Sequence, residues 1–356
     1  MKVVLIGAGY FARFQAEAWK RMEGRLSSPP AETTPQSAAG KSPLQIAAVA
    51  DSVPGKARAF ADKFGIARAY ERVDEMIERE KPDFVDVATR PESHLELVRA
   101  AVERGVHVIC QKPMAPTWNE CVAMWEACEQ AGVRLLIHEN WRWQPWYREA
   151  RRLLALGQLG QLFQISATWR TGDGRGPEPY PTQPYFRQMP RLLVYETLVH
   201  LLDTFRFLFG EMVSVYCQNR RLNPIIVGED HSLIQVSFAD GRLGLIDANR
   251  ITGPVPAPVA MGTLVVECTD GTLRVAPDGK VFVTRAGAEE RLAFRAPETG
   301  YKGDSVLATQ SHLLECLRTG SRSESDGREY LKTVALVEAC YRSNQTGQVV
   351  LVEKIA

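Results

Sequence analysis

Glu196 and His200 stand four residues apart in the apolar stretch YETLVHLLD, residues 195 to 203, a spacing that puts an acid and an imidazole on one face of a helix. An imidazole with an unperturbed pKa of ~6.5 exchanges a proton near neutral pH, and a neighbouring carboxylate orients it. The pair therefore has the chemistry of a general base with its orienting acid. An isolated E-x-x-x-H also describes a surface ion pair or a satisfied core histidine, and spacing alone leaves those readings open. A second group lies at the start of the chain, where Gly7, Gly9 and Ala12 fill a G-x-G-x-x-A pattern in GAGYFA, with Tyr10 and Phe11 inside it. Gly7 allows a tight turn, Gly9 lets a pyrophosphate approach the backbone, and Ala12 lets a helix pack on the preceding strand. The phosphates then sit on the helix N-terminus. Asp51 follows the apolar run LQIAAVA, at the position where a carboxylate accepts from the adenosine ribose hydroxyls of NAD. Ser52 and Val53 bring no arginine for a 2′-phosphate, which favours NAD over NADP; Arg58, in the next helix, is the nearest arginine that follows.

These residues need strands and helices to place them. Val3 to Ile6 is a continuous apolar run, as expected of a strand buried on both faces, and it feeds straight into the glycine turn and a helix. Asp51 lies 42 residues beyond Gly9, against a usual ~20. The excess is carried by residues 24–43, GRLSSPPAETTPQSAAGKSP, a Pro/Ser/Thr/Ala-rich surface insertion without helical or strand period. Helical signals in PGKARAFADKFG, from Ser93 through Arg104 and from Asn119 to Ala131 alternate with apolar strands in DFVDVAT, VHVIC and LLI. Such alternation gives right-handed crossovers and a parallel sheet whose strand ends face the ligand. ATRPESH then presents Thr89, Arg90 and His94 at one strand end, and ICQKP presents Gln111 and Lys112 at the next.

After Trp146 the pattern changes to LFQISATWR, SVYCQNR, SLIQVSFADGRLGLIDANR and TLVVECTDGTLRV, strands joined by short turns with Asp-Gly hairpin signals at 240–241 and 270–271. An antiparallel sheet is expected, flanked by a helix over 191–209 and by returning helices within 303–344. The Gly/Pro-rich segment 171–191 is long for a connector, and Glu178, Tyr185 and Arg187 give it groups suited to a polyol or sugar acid. Its aromatics equally suit packing on the sheet, as do Trp141, Trp143 and Trp146. The expectation is an α/β dinucleotide-binding domain over 1–140, with a doubly wound parallel sheet, and an α+β domain with a largely antiparallel open sheet over 141–356, its last helices returning toward the first domain.

Lys plus Arg (43) and Asp plus Glu (42) nearly cancel without a basic run, which argues against nucleic acid as a partner. No stretch has membrane-spanning length, and MKVVLIGAGY lacks the features of a secretory signal. Seven scattered cysteines without CxxC read as reduced thiols of a cytoplasmic protein rather than a disulfide framework or a zinc site.

Taken in order, GAGYFA, VAD at 49–51, ATRPESH, QKP, NWRWQP at 140–145, ETLVHLLD and DGREYLKTVALVEACYRSNQTG at 326–347 resemble the Gfo/Idh/MocA family of nicotinamide-dependent oxidoreductases over almost the whole chain. The resemblance implies hydride transfer between NAD and a secondary alcohol of a sugar, cyclitol or related polyol. It implies His200 as general base in oxidation, Glu196 as its orienting partner and Lys112 as electrostatic stabiliser of the reacting oxygen. Asn140 and Arg142, in the family's N-x-R stretch, are implied near substrate and cofactor, and the second-domain sheet as the face of a homodimer or tetramer. Two departures stand out: Gln111 replaces a common glutamate beside Lys112, and Glu196 a common aspartate. Within the family, an NAD-retaining glycosidase acting by transient oxidation and elimination is the alternative activity. A non-catalytic dinucleotide-binding regulatory module is the alternative outside catalysis.

Overall fold

The computed structural model describes residues 1–27, 44–296 and 298–352. The chain divides into two units, Met1–Glu139 with Val306–Tyr330, and Asn140–Ser305 with Leu331–Ala356. The first domain was expected to end near residue 140, with the last helices of the second returning toward it; residues 306–330 group with the first unit.

The first unit alternates β1 (Lys2–Ile6), α1 (Ala12–Ser27), β2 (Gln45–Ala50), α2 (Lys56–Phe64), β3 (Arg68–Tyr70), α3 (Val73–Glu80), β4 (Phe84–Val87), α4 (His94–Val102), β5 (His107–Gln111), α5 (Trp118–Gln130) and β6 (Leu135–His138). The six strands are parallel, in the order β3-β2-β1-β4-β5-β6. β1 and β4 lie side by side at the centre, so the turns that follow them share the point where the strand order reverses, the crevice in which such sheets bind ligands. Val3, Val4, Leu5 and Ile6 are at most 2% exposed, which is why this strand reads as unbroken apolar sequence. Thr117 and Glu120 form a reciprocal capping box that starts α5 directly after the QKP segment. Of the expected insertion 24–43, residues 24–27 continue α1, and 28–43 lie outside the described residues.

The second unit contains α6 (Pro145–Ala155), β7 (Leu162–Arg170), α7 (Val199–Phe209), β8 (Met212–Arg220), β9 (His231–Phe238), β10 (Leu243–Asn249), β11 (Gly262–Cys268), β12 (Gly271–Val275), β13 (Val281–Arg285) and β14 (Arg291–Phe294). After these come α8 (Ser305–Thr319), α9 (Gly327–Thr346) and β15 (Val350–Leu351), with α8 from Val306 and the first turn of α9 belonging to the first unit. Nine strands form one sheet in the order β14-β13-β12-β11-β7-β10-β9-β8-β15. All pairs are antiparallel except β7 with β10. β9 buries Ser232, Ile234, Val236 and Phe238 and turns Leu233 and Gln235 outward, the alternation of a sheet with one packed face. Among the described residues no helix is long and apolar enough to cross a membrane.

Candidate active site

The cofactor candidates Gly7, Gly9, Asp51, Thr89 and Gln111 lie in the first unit. Gly7 has φ 102°, and a Cβ there would lie 2.8 Å from the carbonyl oxygen of Ala88 and 3.0 Å from Cγ2 of Thr89, so only glycine passes the end of β4 so closely. Beside Gly9 a Cβ would meet nothing within 4 Å, which leaves its backbone open to a ligand. Asp51 is folded back onto this turn: its Oδ2 accepts from the Ala8 N–H at 2.8 Å and from the Lys56 ammonium at 2.8 Å, and its Oδ1 from the Val53 N–H at 3.0 Å. Burial works against the carboxylate charge, yet Lys56 and the two amides outweigh it and hold Asp51 below its usual pKa. Despite the long separation in sequence, the acid thus stands beside the glycine turn. Arg58 is turned along its own helix to Asp62 at 2.7 Å.

Thr89 accepts at its Oγ1 from the Ser93 hydroxyl at 2.8 Å, and Arg90 and Tyr10 are exposed. Phe11 is partly buried, its ring 6.0 Å from that of His138. His94, expected as a cofactor ligand, is fully buried, with Nδ1 3.0 Å from the Met114 carbonyl and Nε2 3.3 Å from that of Thr89. Burial lowers its pKa and keeps the ring neutral, so it ties the Thr89 turn to the segment after QKP from behind instead of facing a ligand. Gln111 ends β5 at 5% exposure, its Oε1 accepting from the Lys112 N–H at 2.7 Å. Among the described residues its buried Nε2 has no hydrogen-bond partner, a donor at a strand end that a bound amide or hydroxyl would satisfy. Lys112 is half-buried and precedes a cis peptide bond to Pro113. The glycine cradle, the fixed carboxylate and this orphan donor fit a dinucleotide.

The acid–base candidates Glu196 and His200 lie in the second unit, where the expected single helix over 191–209 is not what forms. Leu193–Leu198 is a π-helical turn, and α register begins only at Val199. The cause lies in Glu229, itself buried, whose carboxylate accepts from the Leu192 and Val194 amides at 3.3 and 3.0 Å, while its carbonyl accepts from the Leu193 amide. The Tyr341 hydroxyl donates to Glu229 at 2.5 Å and accepts from the Tyr195 amide at 3.3 Å. These side chains claim the amides of the first turn and hold it wide, a geometry that recurs at functional sites.

Glu196 lies in that wide turn. Its Oε2 accepts from the Thr197 hydroxyl at 2.7 Å and stands 3.9 Å from the Arg250 guanidinium. Arg250, 8% exposed, also donates to both oxygens of Asp173 and lies over the ring of Tyr180, 4.5 Å from its centroid. Tyr180 takes a left-handed backbone conformation, φ 58°, that brings its ring into the core. His200, the first imidazole of α7, is 6% exposed and stacks on the indole of Trp141 with centroids 4.7 Å apart and planes at 20°. Trp141 packs in turn on Trp169 at 5.1 Å. The turn carrying Trp141 is anchored by its neighbours: Asn140 Nδ2 donates to the Ser305 hydroxyl at 2.9 Å, and Arg142 makes two 2.6 Å hydrogen bonds to Asp203. Arg142, expected at the cofactor, is thereby held in a buried ion pair one turn beyond His200.

Segment 171–191 divides. Tyr180, Phe186 and Leu192 pack with Ile226 as a small core, Arg187 donates to the Pro179 carbonyl at 2.7 Å, and the Tyr185 hydroxyl accepts from Gln183 at 3.0 Å. Glu178 is exposed. Asp173, Tyr180 and Phe186 of this segment reach Arg250, none of which the sequence singled out; Arg250 itself sits in a strand-end sequence, DANR, with no motif to flag it.

Comparison with known proteins agrees with this architecture. Residues 1–139 match the model of the Gfo/Idh/MocA oxidoreductase family, NAD-binding Rossmann fold, and residues 147–274 match the Gfo/Idh/MocA C-terminal domain. The chain is 33% identical to a D-apiose dehydrogenase of Paraburkholderia graminis over 98% of its own length and 89% of the relative's. It is 32% identical to a D-apiose dehydrogenase of Rhizobium rhizogenes, covering 98% and 97% of the two chains. A crystal structure of an oxidoreductase from Agrobacterium radiobacter in complex with NAD+, L-tartaric acid and magnesium superposes with a TM-score of 0.86 at 30% identity, covering 99% of this chain and 98% of that one. With both of its domains matched in order and Asp51 hydrogen-bonded to the glycine turn, the chain belongs to the Gfo/Idh/MocA family of oxidoreductases.

Proposed function

We propose that this oxidoreductase is an NAD-dependent dehydrogenase that oxidises a secondary alcohol of a sugar, cyclitol or related polyol to a carbonyl, with His200, Glu196 and Lys112 as its catalytic residues. The observation that carries the reading is that His200, buried and stacked on Trp141, follows directly on a π turn whose partly buried Glu196 stands beside Arg250, so an imidazole and a carboxylate are held where the chain departs from regular helix. When bound, NAD supplies the hydride acceptor. Asp51 receives the ribose hydroxyls, Gly7 and Gly9 admit the pyrophosphate, and Gln111 Nε2 donates to the bound dinucleotide. Tyr10, Phe11, Ala12, Thr89 and Arg90 belong to the segments that border it. His200 takes the proton of the substrate hydroxyl, Glu196 orients the imidazole, and the Lys112 ammonium stabilises negative charge on the reacting oxygen. Asn140, Glu178, Tyr185 and Arg187 are the further substrate-side candidates, while Arg142, through Asp203, and His94 act as supports. The names of the two D-apiose dehydrogenases support a sugar substrate.

Leu233, Leu243 and Leu245 are 40%, 44% and 39% exposed on neighbouring strands of the second-unit sheet, a surface suited to a homodimer or tetramer. Seven buried free thiols suit a cytoplasmic location. The test is a panel of sugars, cyclitols and polyols assayed for NADH formation, with NADP as comparison cofactor. Turnover on at least one of them with NAD preferred upholds the reading, and a tightly retained NAD with no net NADH would point to the glycosidase alternative instead.

A further inference from the structure

Among the described residues, Lys302 of the second unit is a cation at Trp141 without a carboxylate opposite it. Arg142 is paired with Asp203, Arg206 with Glu211, and Arg250 with Asp173 and Glu196. Lys302 differs. Its ammonium lies 3.4 Å from the Pro258 carbonyl and 5.8 Å from the centroid of Trp141, the same indole on which His200 stacks. A carbonyl and a ring face solvate an ammonium weakly and do not neutralise it. Its place is fixed by the backbone. Lys302 has φ 50° and Gly303 φ 68°, and a Cβ on Gly303 would come within 2.7 Å of Pro145, so the turn fits tightly against the start of α6. Holding a lysine in the left-handed region and half out of water costs free energy on both counts. Burial also draws its pKa down to about 8, so it still carries its charge near neutral pH. An unmatched, positioned cation of this kind is satisfied when a ligand brings the opposite charge.

We propose that Lys302 recognises a carboxylate of the substrate, which makes the preferred substrate a polyhydroxy acid of aldonate type. The proposal rests on the dehydrogenase reading above and names its substrate class. His200 and Lys302, both reaching Trp141, then serve different ends of one small molecule: the imidazole meets the reacting hydroxyl and the ammonium meets the acid group.

The test compares wild type, Lys302→Gln and Lys302→Arg with NAD and a series of aldonates, each beside the aldose and alditol of the same configuration. NADH fluorescence on binding checks that each variant is folded. Wild type is expected to show its highest kcat/KM on an aldonate, Lys302→Gln to raise the aldonate KM at least about tenfold, a loss of ~1.4 kcal/mol, and Lys302→Arg to keep most of the preference. A wild type that prefers the neutral partner, or a Lys302→Gln variant with an unchanged aldonate-to-neutral ratio, overturns the proposal. Should no compound give NADH, the dehydrogenase reading falls separately, and calorimetric titration of the aldonates decides on Lys302. Binding by wild type that is lost in Lys302→Gln upholds the carboxylate site; no binding to wild type ends it.

Discussion

At the level of single residues, the cofactor half rests on Asp51, whose two oxygens already take three donors, from Ala8, Lys56 and Val53. Lys56 is the part that sequence did not announce, because nothing in a helix-forming KARAF says that its ammonium will turn back five residues. Charge-assisted hydrogen bonds contribute roughly 1.5 to 3 kcal/mol each. Asp51→Ala is therefore expected to weaken NADH binding at least about tenfold, by fluorescence titration, and to narrow the preference over NADPH. An unchanged affinity would mean that the ribose is held elsewhere. Gly7, Gly9 and Asp51 were readable because each answers to a local backbone or charge requirement. Arg250, Asp173 and Lys302 were not, since their importance comes from partners distant in sequence. His94 was named as a ligand on its place at a strand end and Arg142 on the family's N-x-R stretch, and their burial and hydrogen bonds give them supporting work.

At the level of elements, the π turn is the feature that periodicity cannot reveal. An apolar run over 191–209 reads the same whether its first turn is α or π; the difference is set by Glu229 and Tyr341 taking the amides of Leu192, Leu193, Val194 and Tyr195. Arg250 then fixes the carboxylate that this turn presents. Removing one partner of a buried ion pair typically costs about 3 to 5 kcal/mol, because the other charge is left uncompensated. Arg250→Met is expected to lose stability on that scale in urea unfolding, with turnover falling as well. Combined with Asp173→Asn, stability should recover in part while turnover stays low, because Glu196 still lacks its cation. Full recovery of turnover in the double variant would show that Arg250 serves only the fold. The strands and hairpins of the second unit were legible from alternation and from the Asp-Gly turns, whereas β3, β13, β14 and β15 are too short to show a period.

At the level of the whole molecule, both sheets follow from sequence in type and order of appearance, and of the last helices, expected to return toward the first domain, residues 306–330 make that return and group with the first unit. One result of that return is a buried carboxyl. Asp86 on β4 is fully buried, accepting from Trp19 at 2.6 Å, from Gln15 at 3.3 Å and from Gln310 of α8 at 3.3 Å. Burial raises its pKa to about 7, against the partial compensation of Trp19 and Gln310. A carboxyl that binds its proton more tightly when folded contributes stability fully below about pH 4, and this is lost as pH rises through 7. Asp86→Asn keeps an acceptor for Trp19 and offers amide protons to the buried, unpaired Oε1 atoms of Gln15 and Gln310. Relative to wild type, this variant should gain on the order of a few kcal/mol between pH 5 and pH 8 in urea unfolding. Parallel pH profiles for the two proteins would place the titrating group elsewhere.

In the proposed reaction His200 is the base that accepts the substrate proton. Losing a general base costs ~10²- to 10⁴-fold in rate. The most direct measurement is the turnover of His200→Asn on the best substrate of the panel, made beside NADH binding by fluorescence. The variant is expected to bind NADH about as wild type does and to turn over at least ~100-fold more slowly. A kcat near that of wild type with cofactor binding intact would contradict the assignment and leave His200 as a packing partner of Trp141.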